Sequence, residues 1–145
     1  MRSLVQRCSE AWVTSVDVEV GRIGPGLVCL VGVTHDDDET IVAKMADKLW
    51  NLRLFGDDDG VMNLSIAETS QSLLLVSQFT LYGDTRNGRR PSWSAAARPE
   101  HAEPLFDGLV ETLRGFGASV ETGRFRTRMQ VGLVNDGPVT VLVEF

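Results

Sequence analysis

The chain has 145 residues, 43% hydrophobic and 23% charged, with a formal net charge of -6; this suits one globular domain spanning 1–145 and large enough for a full core. The acidic balance argues against a generic nucleic-acid coat. No run approaches the ~20 apolar residues of a membrane span, and Met1 to Arg7 holds no apolar core of signal-peptide length, so a cytoplasmic location is expected.

Taken in order, Ser3 to Gln6, Trp12 to Val20 and Leu27 to Val33 are rich in Val, Leu, Ile and Thr, and short turn-forming segments separate them. They are expected to be three strands. In the second, Trp12, Thr14, Val16, Val18 and Val20 share a parity, which predicts that this face is the apolar one and that Val13, Ser15, Asp17 and Glu19 meet water. Cys8 and Cys29 fall in apolar stretches without close spacing, as inert buried thiols do.

The period then changes to a helical one. Asp36 to Glu39 would complement the dipole in a first turn, and Ile41, Val42, Met45, Leu49 and Leu52 form one stripe. Phe55 to Gly60 ends that helix. Its Asp triplet lacks the EF-hand ligand spacing and is expected to be a solvated turn before a short strand at Val61 to Leu64.

The apolar run Leu73 to Val76 is strand-sized and delivers Ser77, Gln78 and Thr80 at its end. A polar, cationic loop with Arg86, Asn87-Gly88, Arg89, Arg90 and Pro91 follows. From residue 86 onward every one of the eight basic residues is an arginine, the last being Arg128. The planar guanidinium fork suits phosphate, although arginines also solvate surfaces. A second helix opens at Pro99 and buries Leu105, Phe106, Leu109, Val110, Leu113 and Phe116, and strands are expected at Ser119 to Thr122, Met129 to Val134 and Val139 to Phe145. The order of elements predicts an α/β fold of mixed, largely antiparallel, barrel-like sheets with two helices packed outside.

Familiar hydrolytic machinery is missing. Ser77 lies in no Gly-x-Ser-x-Gly elbow, the two histidines, His35 and His101, have simple surface explanations, and no cluster has metal-ligand spacing. No metal or cofactor is expected. Read from residue types alone, Ser77, Gln78 and Thr80 are most simply structural, and Gly137-Pro138 is a plain turn.

Yet Ser77-Gln78-Phe79-Thr80-Leu81 and Asn135-Asp136-Gly137-Pro138-Val139-Thr140, together with Val5-Gln6-Arg7, Gly21 to Gly26, Lys48 to Arg53 and Arg86 to Pro91, resemble the D-aminoacyl-tRNA deacylase family in register over nearly the whole chain. That resemblance implies hydrolysis of the ester between a D-amino acid, or achiral glycine, and the terminal ribose of tRNA. It implies a homodimer with active sites at the subunit interface, and no DNA or membrane partner is expected. By matching positions, Ser77, Gln78, Phe79 and Thr80 would form the catalytic pocket, relying on water, backbone groups and the tRNA 2′-hydroxyl. Gly137 and Pro138, joined by a cis bond, would enter the partner's pocket and exclude L side chains; Met129 would contact substrate. Arg86, Arg89 and Arg90 would contact tRNA phosphates. Two departures stand out: Arg126-Thr127-Arg128-Met129 occupies the family's Gly-Ala-x-Met, and Gly132 stands where Glu is frequent. Besides a deacylase, the competing class is a catalytically silent tRNA- or RNA-binding module using the same arginines.

Overall fold

A computed structural model describes all 145 residues. Strands β1 (Arg2–Ser15), β2 (Val18–Ile23) and β3 (Gly26–Gly32) lead into helix α1 (Glu39–Asn51). A short pair, β4 (Phe55–Gly56) and β5 (Met62–Leu64), and helix α2 (Ile66–Thr69) precede β6 (Ser72–Ser77). A 3-10 turn at Phe79–Tyr82, helix α3 (Pro99–Gly115), β7 (Val120–Thr122) and β8 (Met129–Glu144) complete the chain. β1 pairs antiparallel with β2, β3 and β8, while β3–β6 and β6–β7 are parallel. The result is the expected mixed, barrel-like sheet, nearly closed, but with three helices instead of two.

The extra helix, α2, carries the Ser-x-x-Glu signature of a capped start: the Glu68 carboxylate accepts the Ser65 N–H at 2.8 Å and its hydroxyl at 2.7 Å. At α1 the cap is Asp38, whose carboxylate accepts the Ile41 N–H at 3.0 Å, so Asp36 and Asp37 precede the helix and do not sit in its first turn. Val42, Met45, Ala46 and Leu49 are its buried face, with Ile41 and Leu52 packed at the margin. α3 buries Ala102, Phe106, Leu109, Val110 and Leu113. Phe116 is 43% exposed, contrary to expectation, because the helix has ended and the ring lies over Trp50.

The first expected strand and the start of the second are one, and the rest of the second, from Val18, belongs to β2. β1 runs through Ser9-Glu10, and the chain reverses at Val16 and Asp17, both at positive φ (50° and 62°), as a two-residue hairpin turn requires. The expected parity fails at Val13 and Ser15, which are buried, and at Val16 and Val18, which meet water, while Asp17 and Glu19 are exposed as expected. Register shifts against β8 at Gln6/Cys8 and Cys8/Glu10 explain the core positions along β1, which run Ser3, Val5, Cys8, Ala11, Val13, Ser15. One additional residue in a strand moves all that follow to the other face.

β8 likewise replaces two expected strands. Asn135 pairs with Cys8 and Thr140 with Gln6, so Asp136 to Val139 form an excursion opposite the single residue Arg7. At the far end of this ribbon the chain termini meet. The Met1 α-ammonium is fully buried against the Asp37 carboxylate and donates to the Phe145 carbonyl at 2.8 Å; the Phe145 N–H returns a bond to Met1 at 3.0 Å. No helix is long and apolar enough to cross a membrane.

Candidate active site

β6 is buried through Leu73, Leu74, Leu75 and Val76, and emerges at Ser77. The Gln78 N–H is fastened to the Val31 carbonyl at 2.7 Å, after which the backbone tightens into the 3-10 turn. Its first internal bond is Leu81 N–H to Gln78 carbonyl, 3.2 Å, so the amides of Phe79 and Thr80 precede that ladder and have no partner in it. The turn is anchored by Arg2, which donates to the Leu81 carbonyl at 2.8 Å and lies over the Tyr82 ring.

Beside this strand end lies a cavity of about 610 Å³. Ser77, Gln78 and Phe79 line it together with Met129 of β8, so the sheet brings Met129 beside three consecutive residues far from it in sequence. Thr80 is not part of the lining; its hydroxyl instead accepts a bond from the Gln78 side-chain amide. Trp93, Arg98, Phe125, Arg126 and Thr127 contribute from the connecting segments. Arg126 and Thr127 stood out in the sequence as departures from the family pattern, whereas Trp93, Arg98 and Phe125 carried no such signal, since they sit in loops whose approach depends on the tertiary path.

Gly137 and Pro138 are elsewhere in the chain's own surface. Met129 pairs with Ser15 and Asn135 with Cys8 on β1, a separation of roughly 23 Å along the strand. The Gly137–Pro138 bond is cis, as the resemblance implies. Supports invisible to pattern reading hold the excursion closed. The Asn135 amide donates to the Arg7 and Val139 carbonyls at 2.8 and 3.0 Å, and Arg7 Nε donates to the Asp136 carbonyl at 3.2 Å. Gly137 has φ +126°, and a Cβ there would lie 2.7 Å from Val139 Cγ2 and 3.0 Å from Arg7 Nη2.

The three loop arginines differ in electrostatic state. Arg86 grips Asp84 with two bonds of 2.9 and 2.7 Å, and these side-chain bonds hold the Asp84 carboxyl down at about 2. Arg89 and Arg90 are exposed and form no salt bridge. His35 and His101 bond the carbonyls of Ser94 and Asp37 at 2.9 Å and do not line the cavity. Burial pushes the Cys8 thiol up to about 11 and that of Cys29 to about 12, so both stay protonated at neutral pH.

Both sequence departures have structural counterparts. Arg126 sits at φ +58°, a left-handed conformation that glycine adopts freely and that costs another residue of order 1 kcal/mol. Thr127 accepts the Ser15 hydroxyl across 2.8 Å or donates to it, which ties this turn to the end of β1. At Gly132 the side-chain space is already taken: its cross-strand partner is Trp12, and a Cβ would lie 2.3 Å from the indole. The ring thus covers the strand where a longer side chain would otherwise stand, and Arg22 packs over the ring at 5.2 Å.

A sequence model of the family described as D-Tyr-tRNA(Tyr) deacylase matches residues 4–144. The chain is 56% identical over 144 residues to a D-aminoacyl-tRNA deacylase of Symbiobacterium thermophilum, covering 99% of this chain and 95% of that protein. It is 55% identical over 144 residues to one of Brevibacillus brevis, covering 99% of each. Among solved structures it is similar to one described as c-Myc DNA Unwinding Element Binding Protein, with 34% identity, TM-score 0.94 and coverage of 100% and 99% of the two chains. A second, described as a probable eukaryotic D-amino acid tRNA deacylase, shares the fold at TM-score 0.84 and 17% identity, over 98% and 97% of the chains. With the family match spanning almost every residue and relatives above half identity end to end, the chain belongs to the D-aminoacyl-tRNA deacylase family.

Proposed function

We propose that this protein hydrolyses the ester of D-aminoacyl-tRNA, releasing the free D-amino acid and tRNA, and that the cavity at the end of β6 is where the ester binds. The observation that carries this reading is the character of the cavity wall. Ser77, Gln78 and the Phe79 amide at the start of the 3-10 turn are neutral polar groups beside an apolar chamber, with no histidine or thiolate among them. Such a site does not activate a side-chain nucleophile. It suits attack by water on an already reactive ester, the backbone N–H of Phe79 stabilising the oxyanion as the tetrahedral carbon forms. Collapse of that intermediate breaks the bond to the ribose oxygen, which leaves as the tRNA hydroxyl. Gln78 holds the Thr80 hydroxyl and so fixes the turn that presents the Phe79 amide.

Chiral selection on this reading comes from a second subunit, whose Gly137–Pro138 excursion enters the cavity and leaves no room for an L side chain. The exposed apolar residues Val134 and Leu142, on β8 either side of that excursion, and Phe145 just past the strand supply a surface for a twofold contact. Light scattering at micromolar concentration is expected to give a dimer; an active monomer overturns this arrangement. A cytoplasmic location and a single functional domain of residues 1–145 accompany the substrate.

The test of the activity is release of tyrosine from D-Tyr-tRNA beside an L-Tyr-tRNA control. Release from the D ester alone is expected. Tight tRNA binding without release of either identifies a binding module instead.

Arg89 and Arg90 are the loop residues with charge free for phosphate, while Arg86 is committed to Asp84. Replacing Arg89 or Arg90 by Ala is expected to reduce the slope of log affinity against log salt by about one unit each. Arg86→Ala is expected to change it less. Equal slopes for all three variants and the parent refute the assignment.

A further inference from the structure

Arg2, Arg7, Arg22, Arg86 and Arg114 are each paired with a carboxylate. Arg98 and Arg126 are not, although both line the cavity. Both are also exposed, so their charge is presented at the mouth and not consumed inside the fold. A third lining residue, Trp93, is 42% exposed and meets Phe79 edge-on at 5.5 Å. Its indole is held firmly, because it packs so closely on Gly83 that a Cβ there would lie 2.4 Å from the ring. The mouth of the cavity thus combines a fixed, half-exposed aromatic surface with two unpaired guanidinium groups.

Single-stranded nucleic acid is recognised by this pairing of features: an aromatic face for a base, and cations for the backbone beside it. Arginine adds a fork that matches two phosphate oxygens. A cavity of about 610 Å³ is of the size that encloses one drug-sized ligand, here a nucleoside with its ester. The strand that continues from that nucleoside must leave across the mouth.

We infer that Trp93, Arg98 and Arg126 form a subsite for the nucleotide preceding the esterified one, its base stacked on the indole and its linking phosphodiester held by the two guanidinium groups. This rests on the functional reading above and adds a residue class to it. Arg126 is placed in the left-handed conformation where glycine is at ease, so the side chain at this position serves contact and not the fold. For the same reason Arg126→Gly is a test that leaves the fold intact.

Three substrates bearing the same D-tyrosyl ester separate the contributions: adenosine, a short oligoribonucleotide ending in adenosine, and tRNA. Adenosine lacks the phosphodiester and the preceding base. For Arg126→Gly and Arg98→Gln, KM is expected to rise about tenfold on the oligoribonucleotide and on tRNA, with kcat little changed and with D-tyrosyl-adenosine cleaved as by the parent. Trp93→Ala is expected to behave alike. Equal losses on all three substrates, or no loss on any, overturn the subsite. Should the parent protein cleave none of them, the functional reading fails on its own account, and binding of the uncharged oligoribonucleotide still decides the subsite. Weakening of about tenfold in Arg126→Gly supports it, and unchanged affinity removes it.

Discussion

Asp37→Ala is expected to lower stability by about 3–5 kcal/mol, the cost of removing one partner from a buried ion pair. The Met1 ammonium that Asp37 faces is fully buried, and the Asp37 side chain is only 4% exposed. With the carboxylate gone, the ammonium retains the Phe145 carbonyl but no counter-charge. The loss extends further, because the second carboxylate oxygen accepts the Thr34 N–H at 2.8 Å at the entrance to α1. Asp37→Asn keeps an acceptor for Thr34 without the charge, and should fall between the two. Urea denaturation at matched protein concentration measures both; for a chain of this length the alanine variant should melt roughly 10–15 °C lower. A change below 1 kcal/mol would mean that the ammonium finds water or another partner once Asp37 is gone.

The largest effect on activity is expected from Gly137→Ala. At φ +126° an L residue is strained, and the added methyl would collide with Val139 Cγ2 at 2.7 Å and with the Val139 nitrogen at 3.0 Å. The neighbouring groups cannot simply yield, since Asn135 and Arg7 hold both sides of the excursion. The loop must therefore move. If it forms the chiral wall of the partner's cavity, a displacement of about 1 Å is enough to reduce D-Tyr-tRNA hydrolysis on the order of a hundredfold. Dimerisation through the proposed surface of Val134, Leu142 and Phe145 should persist. Activity within threefold of the parent, with L-Tyr-tRNA still spared, would place the discriminating surface elsewhere.

The sequence made the buried elements legible because burial leaves a composition. Leu73 to Val76 and Leu27 to Val31 are continuous apolar runs, and the structure buries them as the paired strands β6 and β3. The helical stripes of α1 and α3 were equally plain. Harder to see was how the edges of these elements are drawn. The parity of Trp12 to Val20 was misread because irregular pairing near Gln6 to Glu10 and a reversal at Val16-Asp17 depend on what lies across the sheet, and not on the segment's own residues. The split of β8 was misread for a similar reason: Gly137-Pro138 looks like a turn between strands, yet both flanks continue along the same partner, β1. At the candidate site, Ser77 to Phe79 and Met129 were legible only through family resemblance, and the structure brings them to one cavity. Trp93, Arg98 and Phe125 reach that cavity by the path of loops, which no local spacing encodes.

The pairing of β1 with β8 also bears on the order in which the molecule can assemble. Residues at the two extremes of the chain are neighbours, Met1 with Phe145 and Arg2 with Glu144. During synthesis β1 can find β2 and β3 early, through short connections, but one of its edges stays open until β8 has left the ribosome. Contacts of such long sequence separation are slow to form because loop closure must precede them. An open strand edge is meanwhile a template for pairing with other chains. Met129 and the Gly137–Pro138 excursion both arrive on the strand that closes this edge. The segment that ends the exposure of the nascent sheet is thus the one that completes the cavity wall, so a chain cut short before β8 would lack its protective edge and its site together.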